Sequence, residues 1–165
     1  MLVTMDMPAF AQALAPRRRL LGVDLGRKRI GLALSDVTRR IASPHKILPH
    51  RSAAESRRDL HRLIESEAIG GVVVGLALHM HGGMAPQAQS ARAFATHLAR
   101  LTACPVYLQD ERLSSAGAAR ILQRAGLSRA KQTERLDAMA AAWILQIALD
   151  ALNSQAQTTP RPPVS

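Results

Sequence analysis

A chain of 165 residues, 47% of them apolar, is long enough for one domain with a sizeable core, and a 2% aromatic content leaves aliphatic side chains and alanine to fill it. Its 22 basic residues against 12 acidic ones give a formal charge of +10, a field that attracts polyanions such as phosphate backbones. A single cysteine, Cys104, rules out an internal disulfide and suggests a reducing cytoplasm, and no apolar run reaches the roughly 18–20 residues that span a bilayer.

Residues 1–19 have weak periodicity and two prolines, and read as a flexible arm. They are not a secretory signal, because the charges Arg17 to Arg19 follow the apolar stretch instead of preceding it. Leu20 to Asp24 is a short apolar strand, Gly26-Arg27-Lys28-Arg29 a turn, and Ile30 to Ser35 a second strand, so the pair reads as a hairpin. Ile41 to Leu48 is a third strand candidate that Pro44 confines to an edge or an irregular stretch.

Ala53 to Ala68 is helical, with Leu60, Leu63 and Ile64 on one face. Gly71 to Leu78 is a continuous apolar run, the pattern of a strand covered on both faces. A helix is expected from about Pro86 to Leu101, a buried strand at Pro105 to Gln109, and helices at Ser115 to Arg124 and Thr133 to Leu152. Residues 153–165 are polar and Pro-rich and read as a disordered tail, leaving 20–152 as the folded domain. Antiparallel strands followed by alternating strands and helices predict an α/β fold, a mixed central sheet of about five strands flanked by helices.

Acidic residues are few, so their positions carry information. Asp24 ends the first strand, Asp110 and Glu111 end the strand before them, and Asp137 lies one turn into the last helix. Ligand sites in open α/β sheets lie at the strand carboxyl ends, where two of these spots fall. Asp137 precedes Ala141, Ile144 and Ala148 at i+4, i+7 and i+11, an apolar stripe that belongs against the sheet. Carboxylates that converge repel one another unless a cation sits between them, and Mg²⁺ or Mn²⁺ prefers oxygen ligands. Each residue also has a plainer reading: Asp24 as a turn former, Asp110-Glu111-Arg112 as an exposed charged loop, Asp137 as a first-turn helix residue favoured by the helix dipole. Lys28 and Arg29 in the hairpin turn either contact nucleic acid or only solvate it. Ser114 and Ser115 open a helix, as an N-cap or as a phosphate site. His79 and His81 are too poorly spaced for a zinc site and read as loop surface.

Five segments in order, 20–36 (LLGVDLGRKRIGLALSD), 72–83 (VVVGLALHMHGG), 86–95, 106–115 (VYLQDERLSS) and 135–150, resemble the YqgF family, also called RuvX, of pre-16S ribosomal RNA nucleases. The resemblance covers nearly all of residues 20–150. It implies an RNase H-like fold related to Holliday junction resolvases, and hydrolysis of phosphodiester bonds with Mg²⁺ or Mn²⁺. It further implies trimming of the 5′ end of precursor 16S rRNA. Carried over by position, Asp24, Glu111 and Asp137 are the catalytic metal ligands. Asp110 is the alternative to Glu111, and Glu134 is the one candidate for a second acidic residue in the last helix. Lys28, Arg29, Arg112 and Ser114 are the expected nucleic-acid contacts. The chain departs from the family pattern at Ala77, His79 and His81, where proline, asparagine and aspartate are usual, and at Ser114 and Ser115, where threonines are usual. The expected partner is RNA or a structured nucleic acid rather than a membrane, for a monomer or homodimer. A Holliday junction resolvase and a non-catalytic RNA-binding or assembly factor are the competing readings. A sugar-kinase-like or actin-like ATP-binding protein would need a duplicated fold and a longer chain.

Overall fold

The structure is a computed structural model and describes residues 1–76, 86–110 and 129–158. Six strands and four helices lie within these residues: β1 (Val3–Thr4), α1 (Met7–Ala13), β2 (Arg19–Leu25), β3 (Arg29–Ser35), β4 (Ala42–Pro49), α2 (Ala53–Ser66), β5 (Ile69–Leu76), α3 (Pro86–Thr102), β6 (Val106–Asp110) and α4 (Arg129–Thr158). They build one sheet in the order β1-β6-β5-β2-β3-β4. Strands β1, β6, β5 and β2 run parallel, and β3 and β4 are added antiparallel at one side. The expected helix at Ser115 to Arg124 and the loop with His79 and His81 lie outside the described residues.

Every residue of β5 is buried, because helices cover both sheet faces and strands flank it on both sides. On one face Leu21, Val23, Leu32, Val72, Val74 and Leu108 pack against Leu60, Leu63 and Ile64 of α2 and Phe94 and Leu98 of α3. On the other face Leu20, Ala33 and Val73 pack against Phe10 of α1 and Ala141, Ile144, Leu145 and Ala148 of α4. The stripe predicted from Ala141, Ile144 and Ala148 is therefore the face that α4 buries. Ser52 caps α2 by accepting the Glu55 N–H at 3.2 Å, the pattern that its Ser-x-x-Glu start announces.

The sheet has one more strand than the sequence suggested, and the extra one comes from the segment expected to be a flexible arm. β1 pairs parallel with β6, and α1 buries Met7 and Phe10, with Phe10 at 5.4 Å from the Tyr107 ring. Pro8 does not break this helix: Asp6 caps it by accepting the Ala9 N–H, and a proline in a first turn removes no helical hydrogen bond. The last helix also outlasts its expected end at Leu152 and runs to Thr158, so the proposed tail begins inside it. Asn153 donates to the Arg39 carbonyl at 2.9 Å, which ties that final stretch to the body. Pro44 behaves as expected: β4 is the edge strand, and its pairing shifts where Leu32 faces Lys46 but Ala33 faces Pro44.

Candidate active site at the carboxyl edge of the sheet

Pleat alternation assigns each strand residue to a face. Along β2, Leu21 and Val23 belong to the α2–α3 side and Leu20 to the α4 side, so Gly22 and Asp24 point toward α4. The approach at Gly22 is close: a Cβ there would lie 2.8 Å from Leu145 Cβ and 2.9 Å from the Ala141 carbonyl oxygen. Helix α4 thus rests on the β2 backbone at residues 141–145.

The direction of α4 follows from its far half. Gln146 accepts from the Ala42 N–H at 2.8 Å and donates to the Arg40 carbonyl at 2.9 Å, and Asn153 donates to Arg39. Those partners sit where β4 begins, and Ser35, which pairs with Ala42, accepts the Leu20 N–H at 2.8 Å. The carboxyl half of α4 therefore covers the start of β2, and its amino half points to the end of β2, where Asp24 stands. Two strand residues rise about 6.6 Å and one helical turn about 5.4 Å. The step from Gly22 to Asp24 is thus matched by the step from Ala141 back to position 137 of the α4 backbone.

Asp24 is half-buried at the carboxyl end of β2, and Asp110 is half-buried at the carboxyl end of β6, opposite Leu76 of β5. One strand, β5, separates them, or about 10 Å at ordinary strand spacing. Val106 and Leu108 belong to the α2–α3 side, so alternation places Asp110 on the face opposite Asp24. Glu111, Arg112 and Ser114 lie outside the described residues, as does the side chain of Asp137. Among the described residues no three His, Cys, Asp or Glu side chains gather as a metal site.

The hairpin loop after Asp24 is built tightly. The Gly26 N–H donates to the Arg29 carbonyl at 2.9 Å, and a Cβ at Gly26 would lie 2.5 Å from that oxygen. Arg27 and Lys28 stand exposed at the tip and Arg29 is half-buried. His50, which follows β4, clamps this loop: its N–H donates to the Lys28 carbonyl at 2.9 Å, and its Nδ1 lies 2.8 Å from the Gly26 carbonyl oxygen. A carbonyl can only accept, so Nδ1 carries the proton. Nothing in the sequence singles this residue out, since a lone histidine after a proline has no motif and the contact spans 24 positions.

Residues 18–151 match the family model described as RuvX, Holliday junction resolvase. The chain belongs to the RuvX family. Relatives carrying the name "Putative pre-16S rRNA nuclease" match it over most of their length. One from Chelativorans sp. is 46% identical across 87% of this chain and 89% of its own. One from Sphingopyxis alaskensis is 45% identical across 92% and 99%, and one from Rhizobium johnstonii 40% identical across 95% and 96%. Thermus thermophilus RuvC, solved with a Holliday junction substrate, superposes with a TM-score of 0.53 at 16% identity, covering 83% of this chain and 96% of RuvC. At that identity the likeness shows a shared fold, the RNase H-like sheet with its flanking helices. The RuvX match spans β2 through most of α4, so β1 and all of α1 precede it.

Proposed function

We propose that this RuvX protein is a metal-dependent nuclease that hydrolyses phosphodiester bonds, acting in the cytoplasm on the 5′ end of precursor 16S rRNA. One observation carries the reading: Asp24 faces α4 at the carboxyl edge of the sheet, and the seating of α4 on Gly22 brings position 137 to the same edge. The nuclease names of the relatives support it.

Asp24, Glu111 and Asp137 are the residues that would hold Mg²⁺ or Mn²⁺. The set fits such ions because it offers only carboxylate oxygens. The pleat favours Glu111 over Asp110, since Asp110 falls on the far face from Asp24. Bound there, the ions supply an activated water and neutralise charge gathering at phosphorus. The chain supplies placement. The β2 pleat turns Asp24 toward α4, and the α4 contact sets the backbone of position 137 at the same edge; Lys28, Arg29, Arg112 and Ser114 would hold the flanking phosphates. His50 keeps the Lys28 loop in position through its two bonds to that loop.

A second reading, a Holliday junction resolvase, is favoured by the family description and the RuvC fold. It needs a symmetric dimer with two sites spaced across a junction. Labelled RNA spanning the 5′ end of the 16S precursor and a labelled four-way DNA junction, each incubated with wild type in Mg²⁺, Mn²⁺ or chelator, separate the two. Metal-dependent cutting of the RNA with the junction left whole is the expected result. Symmetric cutting of the junction alone would transfer the assignment to the resolvase, and tight RNA binding with no cutting would leave a binding or assembly factor.

A further inference from the structure

On the sheet face away from α4, a shallow groove between α2 and α3 is lined by Arg57 and Arg58 from α2 and by His97 and Arg100 from α3, with Ala54 and Leu101 between them. No acidic side chain lines it. Among the described residues none of the three arginines has an ion-pair partner; the carboxylates of α2 that do pair reach elsewhere, Asp59 to Arg62 and Glu65 to His61. A second groove shares Arg58 and adds Arg51 and Arg62, with Glu55 and Asp59 as its acidic members. Arg51 directly follows His50, the residue bonded to the hairpin loop behind Asp24. The cationic side chains thus form a path that begins beside the Asp24 loop, passes over Arg58 and ends between the helices at Arg100.

We propose that the α2–α3 groove is a second anchoring site for the sugar–phosphate backbone of a single-stranded nucleic acid whose other end enters the carboxyl edge of the sheet. The inference rests on the nuclease reading of that edge. Guanidinium groups without carboxylate partners present free donors in the fork geometry that suits phosphate oxygens. The groove has no aromatic platform on which bases could stack; Leu101, 46% exposed, offers only an aliphatic contact. Binding there is electrostatic, follows the backbone rather than the bases, and depends steeply on salt. The site lengthens the footprint on RNA without touching the bond that is cut.

The test is the salt dependence of binding of a labelled single-stranded RNA, measured with chelator present so that no cleavage intervenes. Four proteins are compared: wild type, Asp24→Asn, the triple variant Arg57→Gln/Arg58→Gln/Arg100→Gln, and the charge-matched triple Arg17→Gln/Arg18→Gln/Arg40→Gln from the opposite sheet edge. The groove triple is expected to lower the slope of log affinity against log salt by about 2, at about 0.7 per lost contact on a single strand. The control triple and Asp24→Asn are expected to keep the wild-type slope, and the groove triple to keep cutting an RNA too short to reach from the edge to the groove. Equal slopes for the two triples would overturn the proposal while wild-type cleavage kept the nuclease reading intact. Absence of RNA binding by wild type would remove both. Arg57 is half-buried, so if the triple fails to melt cooperatively, Arg58→Gln/Arg100→Gln, both at exposed positions, carries the same test with two-thirds of the slope change.

Discussion

Asp36 shows how one side chain can set a turn. Its carboxylate accepts the Ile41 and Arg40 N–H groups, both at 2.9 Å, and the Thr38 N–H at 3.1 Å, and it also accepts from the Thr38 hydroxyl. The Ile41 bond, then that hydroxyl, hold its pKa well below the usual carboxylate range. Because the folded pKa is lowered, the contribution to stability is complete above about pH 4, the unfolded value, and fades as pH falls below it toward the folded one. Asp36→Ala is expected to cost about 1 kcal/mol at pH 7, a figure kept small because the turn is solvated. The difference from wild type should shrink in melts below about pH 4; a difference that stays constant with pH would mean that the carboxylate charge plays no part. At this scale the sequence was legible where a residue sits at an element's end: Asp24 was expected at the close of its strand, and β2 has it there. It was silent on His50, whose importance lies in what the hairpin brings to it. Arg57, Arg58 and Arg100 were equally silent, because nothing in their spacing places two helices side by side.

Among the elements, α4 and β2 carry the proposed site. Gly22→Ala would put a methyl against the Ala141 carbonyl and Leu145 Cβ, at 2.9 and 2.8 Å. Backbone cannot yield as a side-chain tip can, so the helix must lift, at a cost of about 1–3 kcal/mol. The lift displaces position 137 from Asp24. The variant should therefore lose more RNA cleavage than its reduced melting temperature explains, when both are measured well below the melting transition. Loss of stability with full activity would show that α4 does not contribute to the site. The same helix shows what periodicity can and cannot reveal. The buried stripe Ala141, Ile144 and Ala148 was readable from spacing, but the role of Gln146 in the same run was not. It is the residue that bonds Ala42 and Arg40 and fixes the helix direction. The apolar run of β5 was read correctly because a strand between two strands and two helix layers has no polar face to show.

For the whole molecule, the main surprise lies at the amino terminus. Phe10 is fully buried against the sheet with Leu20, Val73 and Ile144, and β1 covers the outer edge of β6, which would otherwise expose unpaired backbone. Its two-residue strand and seven-residue helix are too short for periodicity to register, so the sequence pattern does not reveal that this segment completes a core. Phe10→Ala is expected to cost about 3–5 kcal/mol in denaturant unfolding, whereas a value under about 1 kcal/mol would return the segment to the status of a loose arm. The α/β class, the strand order within the hairpin and the alternation of strands and helices were all legible, because each rests on local pattern. The sheet order and the packing of α1 were not, because they depend on pairings between distant segments.

Whether a carboxylate site at the end of β2 cuts RNA is decided by single-turnover cleavage of the labelled 16S-precursor RNA in Mn²⁺ or Mg²⁺, comparing wild type with Asp24→Asn and measuring RNA binding in the same samples. Wild type should cut only when metal is present, and Asp24→Asn should cut at a rate at least about a hundredfold lower with binding preserved. Equal cleavage by the two proteins would rule such a site out.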